Sequence, residues 1–164
     1  MIWAVVLAAG AATRFGSPKQ RLLLPGVLER VRASSVDELL VVVGAHDVET
    51  DAPMVPCDEW ERGIGASLRC GLRALPPDAE AAVVILADGP RLAPESVDRV
   101  IAAWRESGEE VVAATYDGVR LHPVLLARSS WGRVPDEGAR DLPALLVPCD
   151  DLGAPGDVDV LEDL

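Results

Sequence analysis

Ile2 to Ala8 (IWAVVLA) is a nearly unbroken apolar run with Val5 and Val6 at its centre. A run this short and this apolar predicts a strand buried on both faces, as in a parallel sheet. It stops at Ala9-Gly10, where the chain must turn. Similar runs recur at Leu39 to Val43, Ala81 to Ala87, Val111 to Thr115 and Leu145 to Val147. Met54-Val55, set between prolines, predicts a brief strand, and Val124 to Ala127 another beyond the Asp117-Gly118 turn. Between these runs the period changes. Ile64, Leu68, Leu72 and Leu75 fall on one helical stripe within Trp60 to Leu75. Ser67 is placed to cap that helix and Pro76-Pro77 to stop it. A second helix opens at Pro94, carries Val97, Val100, Ile101 and Trp104 on one face, and closes at Gly108. Gly26 is expected to turn the chain into a short helix over Val27 to Ala33, and Glu137 to Leu142 into another.

Strands alternating with helices predict a three-layer, Rossmann-like α/β fold around a mostly parallel sheet. In such sheets ligands sit beyond the carboxyl ends of the strands. The loop at Gly10 and the residue Asp88 both follow apolar runs, so they are expected on one rim.

Composition narrows the function. The 164 residues are one domain's worth, 1–164, with no visible repeat or linker. A net charge of −12 argues against a nucleic-acid partner. No run reaches the length of a membrane span, and no basic leader precedes the first strand. Cys57, Cys70 and Cys149 are widely spaced and odd in number. They suggest neither a disulfide framework nor a zinc site, which predicts a reducing, cytoplasmic location.

Against that acidic background the cations after the first strand stand out. The small residues from Ala9 to Thr13 allow backbone N–H groups to approach an anion, and Arg14 and Lys19 would neutralise it. The spacing lacks both G-x-G-x-x-G and G-x-x-x-x-G-K-[ST], so it is neither a dinucleotide fingerprint nor a P-loop. Asp88, in Leu86-Ala87-Asp88-Gly89-Pro90, reads either as a turn residue or as a carboxylate that holds Mg²⁺ against phosphates.

The pattern L-A-A-G-x-x-x-R-x-G-x-x-K, from Leu7 to Lys19, resembles the signature loop of the MobA-like nucleotidyltransferases. With Ala9 in its third position it is most similar to the molybdenum-cofactor cytidylyltransferases. The resemblance continues in order along the chain. It includes Asp88 in an Asp-x-Pro motif, and Trp60, Gly63, Ser67, Leu68 and Gly71 in a spaced segment. His122-Pro123-Val124-Leu125-Leu126 and Asp136-Glu137-Gly138-Ala139-Arg140 resemble two further motifs. Asp157 and Asp159 stand in a similar acidic stretch near the end. Cys57, Leu121 and Pro135 replace an Asn and two Gly residues of the family pattern.

This resemblance implies a fold of the nucleotide-diphospho-sugar transferase type and transfer of a nucleoside monophosphate, CMP from CTP. The implied acceptor is a phosphate-bearing pterin of the molybdopterin type, and pyrophosphate leaves. It implies Arg14 and Lys19 as catalytic cations, and Asp88 and Asp159 as Mg²⁺ ligands. Leu7, Ala8, Ala9, Gly10, Gly16, Ser67 and His122 would contact the substrates. A molybdoenzyme or its chaperone is the implied protein partner. Trp60 reads equally as core, and His122 equally as a strand-edge residue. Two alternatives stay open: a catalytically silent nucleotide- or partner-binding protein of the same fold, and an oxidoreductase, against which the missing G-x-G-x-x-G argues.

Overall fold

The computed structural model describes residues 1–9, 19–44 and 50–156, with backbone only for residues 19–22. Arg14, Gly10, Gly16, Asp157 and Asp159 lie outside the described residues.

The apolar runs form one seven-stranded sheet. Its strands are β1 (Ile2–Ala8), β2 (Glu38–Val43), β3 (Met54–Pro56), β4 (Ala81–Leu86), β5 (Val111–Tyr116), β6 (Val119–Ala127) and β7 (Leu145–Pro148). Their spatial order is β3-β2-β1-β4-β6-β5-β7. All pairings are parallel except those of β6, which runs antiparallel to both β4 and β5. The centre reads as continuous aliphatic sequence because both faces are covered: Val5, Val6, Val41, Val42 and Val83 are fully buried.

Among the described residues three α-helices cover the sheet: α1 (Lys19–Arg32), α2 (Ile64–Ala74) and α3 (Pro94–Ser107). Alternate residues of each strand serve opposite faces. Ile2, Ala4, Val6 and Ala8 pack with α1 and α3, while Val5 and Leu7 pack with α2. Each helix presents an aliphatic stripe, such as Val97, Val100 and Ile101 on α3.

Several sequence-based expectations are corrected. The helix expected over Val27 to Ala33 is twice as long and runs through Pro25 and Gly26. Leu24, Val27, Leu28 and Val31 keep helical spacing and are buried, while Pro25 and Gly26 face outward. Burial of that stripe outweighs the loss of one intrahelical bond at Pro25. The helical stretch from Trp60 to Leu75 is divided, with a 3₁₀ turn at Trp60–Arg62 and α2 entered at Gly63-Ile64 as the sequence suggests. Gly63, not Ser67, is its N-cap. β6 starts five residues before Val124, and no helix forms between Glu137 and Leu142.

Cys57 and Cys70, expected as free thiols, form a disulfide, with Cα atoms 5.8 Å apart. A spacing of 13 residues says nothing of proximity. The fold creates it, by laying α2 back over the end of β3. The cysteines therefore do not argue for a reducing compartment. Among the described residues no helix is long and apolar enough to cross a membrane. Closing a ring of this size stabilises a fold by about 3 kcal/mol through the unfolded chain. Adding a phosphine reductant during thermal unfolding should therefore lower Tm by roughly 6–12 °C. An unchanged Tm would show that the bridge constrains nothing.

Candidate active site

The connection after β1 leads through α1 to β2 on one side, while β4 arrives on the other through α2. The strand order thus reverses at β1, and a crevice opens beyond its carboxyl end. β1 and β4 run in register with Leu7 opposite Leu86, and Ala87 N donates to Leu7 O at 3.1 Å. Ala9 and Asp88 therefore emerge side by side. α2 follows β3, so its first turns reach the same rim. β6 runs the opposite way, so its first half returns to this rim carrying Arg120 and His122.

Two cavities mark the crevice. The smaller, about 100 Å³, is lined by Leu7, Ala9, Ile64, Ser67, Leu86 and Asp88. The larger, about 330 Å³, shares Leu7, Ile64 and Leu86 with it. Leu68, Val84 and Val124 continue its floor, and Arg120, His122 and Glu137 to Arg140 close its outer side. The two cavities thus adjoin along Leu7, Ile64 and Leu86, with a small end at Ala9 and Asp88 and a wide end at Glu137 to Arg140.

Asp88 is half-buried at the tip of β4. Among the described residues no group of three or more acidic, histidine or cysteine side chains converges on a metal site. Asp88 as one carboxylate lining the small cavity nevertheless fits Mg²⁺, which takes one or two protein carboxylates and completes its shell with phosphate and water.

His122 is buried against the turn that follows Asp88. A Cβ built on Gly89 would stand 2.8 Å from His122 Nε2, so only glycine permits the imidazole here. Leu86 N donates to His122 Nδ1 at 3.4 Å, in place of the ladder bond that β4 and β6 would otherwise make. Tyr116 Oη donates to His122 O at 3.1 Å. Burial pushes that phenol up to about 12, so it stays a neutral donor. His122 is thus at once a strand residue and a wall of the larger cavity.

The remaining expected residues divide. Leu7, Ala9, Ser67, Asp88 and His122 come together. Ala8 points its methyl into the core beneath α1, so only its backbone reaches the rim. Lys19 begins α1, which places it on the side of the sheet reached directly from β1. Trp60 lines neither cavity and packs on Gly44, where an added Cβ would meet its ring carbon at 2.7 Å. Ile64 and Arg120 were missed by sequence reasoning. Ile64 read as part of the buried stripe, yet it is 44% exposed and forms the wall common to both cavities. Arg120 is a single cation two residues past a turn, a pattern that carries no signal of its own.

Residues 4–146 match the family of the MobA-like NTP transferase domain. The chain belongs to this family. Among solved structures it is similar to Rv0371c from Mycobacterium tuberculosis H37Rv, with a TM-score of 0.82 at 28% identity over 99% of this chain and 94% of that one. A second structure of Rv0371c, in complex with manganese, gives a TM-score of 0.75 at 26% identity, covering 99% of this chain and 95% of that one. The chain is also 34% identical over 133 residues to the bifunctional protein GlmU of Mycolicibacterium paratuberculosis, across 68% of this chain and 27% of that protein. It spans about a quarter of the length of the curated relatives it matches. The fold is thus that of the nucleotidyltransferases, with a mixed seven-stranded sheet as its core.

Proposed function

We propose that this member of the family transfers CMP from CTP to a phosphate on a molybdopterin-type acceptor and releases pyrophosphate. The observation that carries the reading is the pair of adjoining cavities at the switch point. Its small end holds Ala9, Ser67 and Asp88, and its wide end could hold a second molecule. A phosphate oxygen of the acceptor forms a bond to the α-phosphorus of the nucleotide. The bond from that phosphorus to the bridging oxygen breaks, and pyrophosphate leaves with the electron pair.

The chain's own task is in-line positioning and neutralisation of charge that grows on the leaving group. Lys19 and Arg14, with amides of the Gly10 loop and Gly16, are the groups assigned to the β- and γ-phosphates. Asp88, with Asp159 beyond the described residues, would hold Mg²⁺. When bound, the ion supplies Lewis-acid charge on the phosphate oxygens. The manganese found with Rv0371c supports a divalent ion here. A molybdoenzyme or its chaperone is the protein partner this product would serve.

Ala9 supports the choice of base. Ala9 lines the small cavity, and a methyl at that position leaves less room for a purine than glycine would. A methyl-sized difference is worth only about 1–3 kcal/mol, so backbone groups that read the cytosine edge must add to it. CTP should be preferred over GTP by at least about tenfold in kcat/KM. Ala9→Gly should narrow the ratio without reversing it. The assay is Mg²⁺-dependent pyrophosphate release with each nucleoside triphosphate, with and without molybdopterin. Equal rates with CTP and GTP would remove the cytidylyl assignment. Binding of CTP without release would select the silent binding protein instead.

A further inference from the structure

The outer wall of the wide end, Glu137 to Arg140, is a loop without regular secondary structure. It is tied down on both sides. At its far end Arg120 donates to Ala139 O and Leu142 O, each at 2.7 Å. At its near end the backbone of Pro135-Asp136 lies directly on the first turn of α2. Gly65 N donates to Asp136 O at 2.9 Å. Side chains complete that contact. Arg69, on α2, donates through Nη1 to Val134 O at 2.8 Å and through Nη2 to the Asp136 carboxylate. Arg62 Nη2 approaches the other carboxylate oxygen at 3.4 Å.

Asp136 opens the Asp136-Glu137-Gly138-Ala139-Arg140 segment, which resembles a motif of the family. Its carboxylate does not line the cavity. It is turned away onto two guanidinium groups, and the hydrogen bond from Arg69 holds it below the usual carboxylate range. Arg69 does not line the cavity either. It is the less exposed partner, at 23%. Its two-headed grip on a carbonyl and a carboxylate fixes geometry in a way that a single exposed ion pair does not. The residue directly after Asp136 is the first of the cavity wall.

We propose that Arg69 and Asp136 are positioning residues: together they set the distance between the first turn of α2 and the Glu137–Arg140 wall, and so the fit of the acceptor but not of the nucleotide. The acceptor part rests on the function proposed above. The nucleotide end shares Leu7, Ile64 and Leu86 with the wide end but includes no residue of this loop.

The test uses the full chain with Arg69→Met, Asp136→Asn and the double variant. Hydrogen exchange is followed at amides 137–142, and steady-state kinetics with CTP, Mg²⁺ and molybdopterin. Each single change should speed exchange at 137–142 at least tenfold and raise KM for molybdopterin at least tenfold. The KM for CTP and kcat should stay within twofold. The double variant should be no more than threefold beyond the worse single one, because partners in one contact are not additive. The proposal is overturned if exchange at 137–142 does not change, if it rises only as much as in the strands, if the KM for CTP rises with that of the acceptor, or if the two changes are additive. If the unmodified protein shows no molybdopterin-dependent release, the proposed function fails, and the exchange data alone decide the role of Arg69 and Asp136.

Discussion

Asp88→Asn should leave the protein folded and reduce Mg²⁺-dependent pyrophosphate release by roughly 10²–10³-fold, the usual cost of removing one preorganised electrostatic group from a transition state. Asn keeps the shape of the side chain at the tip of β4, so the packing of Ala87 and Gly89 on either side is preserved. What it loses is the charge. Asp88 is the only acidic residue lining the small cavity among the described residues. An amide oxygen is a weak ligand for a hard cation that keeps few protein ligands. Two measurements check this. Turnover is recorded against Mg²⁺ concentration, and Mn²⁺ binding is followed by electron paramagnetic resonance in the absence of nucleotide. A variant that saturates at the wild-type Mg²⁺ concentration and binds Mn²⁺ as tightly would make Asp88 a turn residue only.

The sheet was legible because its strands are apolar on both faces. A run such as Ala81 to Ala87 has few other structures open to it. The helices were legible where an aliphatic stripe coincided with a start or stop residue, as at Pro94 and Gly108. α1 was misread because Pro25 and Gly26 are local signals, while the burial of Leu24, Val27 and Val31 is a tertiary effect. Local signals lose when a whole stripe can be covered. The site divides along the same line. Ala9 and Asp88 could be paired from sequence, because each ends a strand and parallel strands share a rim. Ile64 and Arg120 could not be found this way. The role of Arg120 depends on β6 running antiparallel, which brings its first half to the same rim as Asp88, and that of Ile64 on the first turn of α2 reaching that rim. Nor could Cys57 and Cys70 be paired before the position of α2 over β3 was known. The contact between Gly65 and residues 135–136 was equally hidden, since it joins segments some seventy residues apart.

That contact gives the second large effect. Gly65→Val should destabilise the fold by about 3–4 kcal/mol. A Cβ at Gly65 would stand 1.6 Å from Pro135 O and 2.7 Å from Pro135 C. These are backbone atoms, so no rotamer change can relieve the overlap. Either the first turn of α2 or the 134–136 segment must move away. Overpacking costs typically about 1–3 kcal/mol, with the upper end where the neighbour cannot yield. Displacement also breaks the bond from Gly65 N to Asp136 O, worth about 1 kcal/mol. The requirement here is one of space rather than backbone freedom, because Gly65 lies inside a helix. Gly26 supplies the contrast. It too is helical, but nothing lies within 4 Å of a Cβ built there. Gly26→Ala should therefore stabilise by roughly 0.5–1 kcal/mol through the entropy of the unfolded chain. Urea unfolding of the two variants beside the parent measures both signs in one experiment. If Gly65→Val unfolds at the same urea concentration as the parent, the backbone of 135–136 does not rest on the first turn of α2.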